Sequence, residues 1–124
     1  MKIHESAENY LETILVLSKK NNAVRSIDIA NELDFSKPSV SVAMKKLRES
    51  QHITMDSNGF ITLTETGRMV AEIIYERHTV ISEMLSALGV DPETAAEDAC
   101  RIEHVISQES FEAIKNHLKE QGSR

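Results

Sequence analysis

Apolar residues recur every three or four positions through most of the first fifty residues, which is the spacing of amphipathic helices. The first such stretch covers residues 6–20, with Ser6 as its predicted N-cap. A second, short helix follows Ser26 as its N-cap. A third begins after Ser36 and carries Pro38 in its first turn, where a missing N–H is harmless. The pattern therefore predicts three helices before the chain changes character.

Residues typical of strands then alternate around a turn at Asp56-Ser57-Asn58-Gly59. The flanking runs, 52–55 and 60–63, predict a hairpin. A tight turn at Asp34-Phe35 separates the second and third helices, as in a helix-turn-helix. A helix-turn-helix followed directly by a hairpin is the order of a winged helix, which is a DNA-binding fold.

Helical spacing returns after the hairpin and predicts a helical second half. A long helix capped by Thr64 runs to about residue 88 and is expected to join the two halves rigidly. Asp91 caps the next helix, which carries Pro92 in its first turn and reaches residues 105–107. A last helix covers residues 109–119. We predict a mainly α protein.

The predicted domains are a winged helix-turn-helix DNA-binding domain at residues 1–64 and a helical domain at residues 65–124. The net charge of −6 is divided unevenly between them. Residues 1–64 carry eight basic and eight acidic side chains, whereas residues 65–124 carry six basic and twelve acidic ones. The second half is therefore suited to cations, although ordinary solvated surface charge would give a similar imbalance.

The third helix carries the candidate DNA contacts, because its outer face is polar and basic and no acid occurs between residues 37 and 48. Hydroxyl and lysine side chains near its start are expected to meet the major groove, and later cations and the hairpin tip to touch phosphates. The predicted DNA-binding set is Arg25, Ser36, Lys37, Pro38, Ser39, Ser41, Lys45, Lys46, Arg48, Ser57 and Asn58.

The chain length fits one small domain with an extension, and an apolar content of 40% allows a core. Its single cysteine excludes an internal disulfide. The N-terminus shows no signal-peptide pattern, and no apolar run approaches the ~18–20 residues of a membrane span. A cytoplasmic location is therefore expected.

The stretch Cys100-Arg101-Ile102-Glu103-His104 is the strongest chemical signal in the sequence. Spacings of three and four residues place Cys100, Glu103 and His104 on one helical face. A thiol, a carboxylate and an imidazole together suit a divalent transition metal. A lone cysteine, however, is often a small core residue, and a Glu-His pair is often surface.

Three further positions add possible donors. Asn9 and Glu12 share a face of the first helix by their spacing of three, and His78 lies on the long helix. Their distance along the chain leaves open whether they converge. His52 begins the hairpin, a position that favours packing or a phosphate contact over ligation. Paired Cys-x-x-Cys motifs of structural zinc sites are absent from the sequence.

The whole chain resembles the iron-dependent repressor family, the group of the diphtheria toxin repressor and the manganese transport regulator. The segments that carry this resemblance are residues 7–14 (AENYLETI), 36–41 (SKPSVS), 63–68 (LTETGR), 77–78 (RH) and 97–104 (EDACRIEH). The resemblance implies a homodimer in which the winged helix binds double-stranded, palindromic operator DNA. It also implies that the later helices form the metal-binding and dimerisation domain. In length the chain is similar to the short members without an SH3-like domain.

The resemblance also implies ligands. Cys100, Glu103 and His104 match family ligands, and Glu12 and His78 match ligands of the binuclear site of manganese-type members. Asn9 falls where members use Met or Asp, and it offers a neutral oxygen.

Two positions depart from the iron-type pattern. Ser82 replaces a glutamate one turn after His78, and Ala96 replaces a histidine four residues before Cys100. The iron-type ancillary site therefore cannot form as it does in the family, and a second metal would need Glu12, His78 and Glu103.

The thiol of Cys100 and the neutral Asn9 favour Fe²⁺, whereas a donor set made only of oxygen atoms would favour Mn²⁺. Mn²⁺ is the alternative, and Co²⁺, Ni²⁺ or Zn²⁺ are expected to bind in vitro by the Irving–Williams order. We predict a metal-dependent repressor of metal-homeostasis genes, not an enzyme.

Two other functions stay open at this stage. One is a metal-independent winged-helix regulator in which Cys100 is a redox sensor or a core residue. The other is a metalloenzyme, which is disfavoured because no nucleophile–base pair or phosphate loop lies beside the candidate ligands.

Overall fold

The computed structural model describes residues 5–122. Within this stretch it contains six helices and two strands. In chain order they are α1 (Glu5–Lys20), α2 (Ser26–Leu33), α3 (Lys37–Glu49), β1 (Ile53–Met55), β2 (Ile61–Leu63), α4 (Glu65–Ala87), α5 (Pro92–Ile102) and α6 (Gln108–Gly122). One compact unit ends at Glu72 and a second begins at Ile73, so α4 contributes to both. The mainly α fold class is confirmed, whereas the predicted domain boundary between residues 64 and 65 stays a prediction.

The first unit is a winged helix-turn-helix. Helix α2 packs against both α1 and α3. The turn between α2 and α3 depends on Asp34, whose φ of 57° is a left-handed conformation that an aspartate tolerates better than most residues. The buried core of this unit consists of Tyr10, Leu11, Ile14, Leu15, Leu17, Val24, Ile29, Ala30, Val40, Met44, Leu47, Ile53, Ile61 and Ala71.

Helix α3 begins as its sequence predicts. Ser36 is the N-cap, and its side-chain oxygen accepts a hydrogen bond from the Ser39 amide at 3.3 Å. Pro38 lies in the first turn. The Ser36 hydroxyl also donates to the Ser39 hydroxyl at 2.8 Å, which fixes the side chains at the start of the helix.

Two other predicted N-caps were wrong. Helix α1 already includes Glu5, so Ser6 lies inside it. Helix α2 has Arg25 as its N-cap, and the Arg25 amide donates to the Asp28 carboxylate at 2.9 Å. Because that carboxylate reaches back to the amide, the cap falls one residue before Ser26.

The wing is a two-stranded antiparallel hairpin that pairs Ile53 with Leu63 and Met55 with Ile61. Its turn is organised by Asp56, whose side chain accepts hydrogen bonds from the amides of residues 58 and 60, each at 2.9 Å. Gly59 has a φ of 83°, which a glycine adopts without steric cost. The hairpin predicted around Asn58-Gly59 is confirmed.

The base of the wing contains a close approach that the sequence analysis missed. A Cβ atom at Gly67 would lie 2.0 Å from the main-chain oxygen of His52. Thr64 joins the same region, since its hydroxyl donates to the Gln51 carbonyl at 2.8 Å and accepts from the Gly67 amide at 3.1 Å. His52 is buried and its Nδ1 lies 2.7 Å from the Ser50 hydroxyl, which agrees with a packing role.

The second unit comprises α4 from Ile73 onward together with α5 and α6. Its core consists of Ile81, Ala99 and Phe111, with Val80, Leu85, Ile102 and Ile106 packed against them. The predicted cap of α5 is confirmed, because the Asp91 carboxylate accepts from the amides of residues 93 and 94 at 3.2 and 3.3 Å.

Helix α5 is shorter than predicted. It ends at Ile102 instead of residues 105–107. The amides of His104 and Val105 turn to the carbonyls three residues earlier, at 3.4 and 3.0 Å, so the chain tightens and leaves the helix. Glu103 is the C-cap residue.

No helix in the described part of the chain is long and apolar enough to span a membrane.

Candidate metal centre and nucleic-acid interface

The second unit gathers two histidines around a buried carboxylate. His78 lies on α4, whereas Glu103 and His104 form the turn that leaves α5. Glu103 Oε1 lies 2.9 Å from His78 Nδ1, and Glu103 Oε2 lies 3.3 Å from His104 Nε2. Two imidazole nitrogens, one from α4 and one from the turn after α5, therefore meet at one carboxyl group.

Glu103 is fully buried, with a relative exposure of 0%. Its Oε2 atom has no hydrogen-bond partner among the described residues, although His104 Nε2 lies 3.3 Å away. A buried carboxylate with an unsatisfied oxygen is costly, by about 1–3 kcal/mol or more when charged. A cation at this oxygen would remove that cost.

The surroundings of Glu103 fit a divalent transition metal. Carboxylate oxygen and neutral imidazole nitrogen are donors that Fe²⁺, Mn²⁺ and Zn²⁺ all accept. The His104 side chain is 8% exposed and the His78 side chain 29%, so the cluster is sheltered but reachable from solvent.

Cys100 is placed differently from the other members of its motif. It lies inside α5 and is exposed, whereas Glu103 is buried and both Glu103 and His104 lie beyond the end of the helix. Glu103 still has helical backbone angles, and its amide donates to the Ala99 carbonyl at 2.9 Å, so it follows Cys100 with helical spacing. The role of Cys100 as a ligand stays a prediction.

Ser82, which stands where iron-type members have a glutamate, lies one turn after His78 on α4. Its hydroxyl oxygen is buried and has no hydrogen-bond partner among the described residues. Ala96 on α5 is half-buried and offers no donor atom.

The two candidate ligands of α1 belong to the first unit. Glu12 is buried with 8% exposure, which is unusual for a carboxylate, and Asn9 is half-buried. The main-chain oxygen of Asn9 accepts a hydrogen bond from the Thr13 hydroxyl at 2.8 Å. Their ligand roles stay predictions.

The predicted DNA-binding side chains lie on the surface of the first unit. All of them are exposed: Arg25, Ser36, Lys37, Pro38, Ser39, Ser41, Lys45, Lys46, Arg48, Ser57 and Asn58. Those of α3 surround its buried stripe of Val40, Met44 and Leu47, so the helix buries its apolar face and presents hydroxyls and cations.

Arg25 is tied to the wing. Its guanidinium lies 4.4 Å from the centre of the Phe60 ring, a cation–π contact. The amide of Ile61 donates to the carbonyl of Val24 at 2.7 Å. These contacts hold the wing beside the start of α2.

Comparison with known families decides the identity of this arrangement. Residues 2–58 match the model of the iron dependent repressor N-terminal DNA binding domain. Residues 64–121 match the model of the iron dependent repressor metal binding and dimerisation domain. The chain belongs to the iron-dependent repressor family.

Curated relatives of this family member agree. An uncharacterized HTH-type transcriptional regulator of Methanocaldococcus jannaschii is 35% identical over 113 residues, which cover 90% of each chain. The transcriptional regulator MntR of Escherichia coli is 32% identical over 120 residues, which cover 97% of this chain and 77% of the relative.

Solved structures of metal regulators share the fold of this repressor-family chain. The manganese regulator SloR is 27% identical with a TM-score of 0.80, and the match covers 96% of this chain and 55% of SloR. A manganese-dependent transcriptional repressor in complex with manganese is 25% identical with a TM-score of 0.84. The match covers 90% of this chain, which thus spans only about half the length of either structure.

Some features of the family member escaped sequence reasoning. The Arg25–Phe60 contact and the close approach at Gly67 join residues far apart in sequence, and neither has a local motif. The sequence held one signal for the close approach at Gly67, namely a glycine early in a helix, where glycine is otherwise unfavourable.

Proposed function

We propose that this chain is a metal-activated transcriptional repressor that binds operator DNA as a homodimer when loaded with Fe²⁺. The observation that carries the proposal is the fully buried Glu103, held between His78 and His104 with one oxygen lacking a hydrogen bond. A DNA-binding domain and a dimerisation domain in one chain support the rest. Such a repressor acts on the chromosome and hence in the cytoplasm.

Glu103, His104 and His78 would hold the metal, with Cys100 beside them on α5. The remaining donors would come from Asn9 and Glu12, which share a face of α1. When bound, the metal supplies positive charge that neutralises buried carboxylates and links segments distant in sequence. Binding favours repression only to the extent that the DNA-binding conformation holds the metal more tightly.

The residues of α3 would read the operator. Ser36, Lys37, Ser39, Ser41 and Lys45 project from the exposed face that a recognition helix places in the major groove. Pro38 fixes the start of that helix. Two copies in a homodimer would meet two half-sites of a palindrome about one helical turn apart, or a multiple of that.

The remaining cations and the wing would contact phosphates. Lys46, Arg48 and Arg25 are exposed, as are Ser57 and Asn58 at the wing tip. Phosphate contacts position the protein without reading sequence and make binding depend on salt.

Mn²⁺ is the second candidate metal. Two observations favour it: the buried Glu103 offers a hard oxygen donor, and Cys100 is exposed. In addition, the names of MntR and SloR describe regulators, the latter of manganese. Fe²⁺ is supported by the thiol at residue 100, which softens the donor set.

The deciding experiment measures DNA affinity against metal. A DNA duplex is first selected from a random library by the Fe²⁺-loaded protein. The affinity of the protein for this duplex is then measured anaerobically, under reducing conditions, as Fe²⁺ or Mn²⁺ is added and again after EDTA is added. We expect metal to raise DNA affinity and chelator to reverse the effect, with DNA raising metal affinity by the same factor. An affinity that is the same with metal and with chelator would sink the proposal.

A further inference from the structure

Arg77 makes three hydrogen bonds that enclose the turn after α5. Its Nη1 donates to the carbonyl oxygens of Glu103 at 3.1 Å and Ile106 at 3.2 Å, and its Nη2 donates to Gln108 Oε1 at 3.0 Å. The guanidinium carbon lies 5.8 Å from the centre of the Phe111 ring. One side chain of α4 thereby holds the connection from α5 to α6.

This turn needs an external support because it has left the helix. Carbonyl groups at the end of a helix lack intrahelical partners, and a cation there also complements the helix dipole. Glu103 and Ile106 bracket the turn that contains His104, so their carbonyls are the points at which its position can be fixed. Nη1 serves both carbonyls while Nη2 reaches Gln108, and a lysine ammonium, with a single nitrogen, has no second arm of this kind.

Arg77 and His78 are adjacent on α4 and hold the same glutamate at different atoms. His78 approaches the carboxylate at 2.9 Å, and Arg77 bonds the main-chain oxygen. The main chain of Glu103 and the direction of its side chain are thus set by one turn of one helix.

We propose that Arg77 is a positioning residue of the metal centre: it touches no metal but holds Glu103 and His104 where they can ligate. The inference rests on the proposed function. It adds Arg77 to the metal centre, a residue that neither the ligand spacing nor the carboxylate chemistry indicates. Partners of this outer kind typically change metal affinity by ~10–100-fold when removed.

The test uses Co²⁺ as the probe, with affinity measured by competition against a fluorescent chelator and geometry by the visible absorption of the Co²⁺ complex. We expect Arg77→Gln to weaken Co²⁺ binding about 10–100-fold. Arg77→Lys, which keeps the charge and loses the fork, should recover only part of that loss. In both variants the Co²⁺ spectrum should change, because the turn no longer holds the donors in one arrangement.

A matched control separates positioning from general stability. Arg101→Gln removes an exposed cation from α5, within the same segment, and should leave affinity and spectrum unchanged. All measurements are made at a temperature where circular dichroism shows each metal-free variant to be folded. Gln108→Ala removes the Nη2 partner, together with an exposed hydrogen bond from Gln108 to Glu112, and should weaken binding by about 2–5-fold, in line with one net hydrogen bond to Arg77.

The outcomes are distinguishable. A wild-type protein that binds no Co²⁺ overturns the proposed function and this inference with it. A wild-type protein that binds Co²⁺, with folded Arg77 variants that match it in affinity and spectrum, overturns the inference alone. If Arg77→Gln does not fold, Arg77→Lys and Gln108→Ala decide, and wild-type behaviour in both counts against the positioning role.

Discussion

The Nδ1 atom of His78 lies 2.9 Å from Oε1 of Glu103, although the two residues are 25 positions apart in the chain. Helix α4 therefore supplies a nitrogen to a carboxylate that α5 delivers at its C-terminal end. Because Glu103 is fully buried, this pairing defines the interior of the candidate metal centre.

Replacing Glu103 with glutamine tests the central donor. Glu103→Gln keeps the shape and removes the charge, so we expect affinity for Fe²⁺ and Mn²⁺ to fall by more than ~100-fold, beyond what outer partners contribute. Isothermal titration under anaerobic conditions measures the change. Glu109→Gln, at an exposed position in the first turn of α6, is the control and should bind like wild type. Retained affinity in Glu103→Gln would exclude the carboxylate as a ligand.

Cys100 discriminates between the two candidate metals. Under the Fe²⁺ proposal, Cys100→Ser should lower Fe²⁺ affinity by about 10-fold or more and lower Mn²⁺ affinity less, because thiolate prefers the later metal. The Co²⁺ complex should also lose its sulfur-to-metal absorption in the near ultraviolet. Equal affinities of variant and wild type for both metals would instead support a manganese regulator that does not use the thiol.

The exposed cations and hydroxyls of α3 should divide into two kinds by their effect on DNA binding. Arg48→Ala should weaken binding to all duplexes alike and reduce the slope of log affinity against log salt by about 1. Ser39→Ala should change the preferred sequence and leave the salt slope intact. Fluorescence anisotropy across a salt series measures the slope, and the same measurement with duplexes of different sequence measures the preference.

Lys119→Ala, an exposed cation of α6, is the control for net charge in the DNA-binding experiment. A loss of affinity in this variant equal to that of Arg48→Ala would mean that α3 has no special part in DNA binding.

Gly67 is expected to tolerate no side chain. A methyl group there would meet the main-chain oxygen of His52 at 2.0 Å, and backbone cannot move aside as a flexible side chain can. Gly67→Ala should lower the free energy of unfolding by about 1–3 kcal/mol through overpacking. Urea denaturation followed by circular dichroism gives the value. Arg68→Ala, the exposed next residue, should stay within ~0.5 kcal/mol of wild type.

Local signals explain which parts of the fold could be predicted. Three confirmed features each depend on residues within a few positions of one another. They are the cap of α3 by Ser36 with Pro38, the cap of α5 by Asp91, and the hairpin turn at Asn58-Gly59. Such motifs act on the backbone directly, and the winged helix follows from their order.

Contacts between distant residues explain what the sequence did not reveal. The end of α5 was predicted too late. The helix stops at Ile102, and the turn that follows is held by Arg77, which lies 26 positions before Glu103 in the chain. Likewise, helical spacing put Cys100 and Glu103 on one face, yet one is exposed and the other is buried. Spacing along a helix gives the direction of a side chain and not what packs over it, so the burial of Glu103 could not be predicted.

The unsatisfied oxygen of Glu103 also bears on how long the protein survives in a cell. A ligand that binds the folded state alone adds stability by mass action, about 2.7 kcal/mol at a concentration a hundredfold above its dissociation constant. The metal-free chain, in which one oxygen of the buried Glu103 keeps no hydrogen bond, would open more often and be degraded sooner. Metal supply would then set the amount of regulator as well as its activity. Metal starvation would relieve repression in two ways, by leaving the regulator inactive and by lowering its amount.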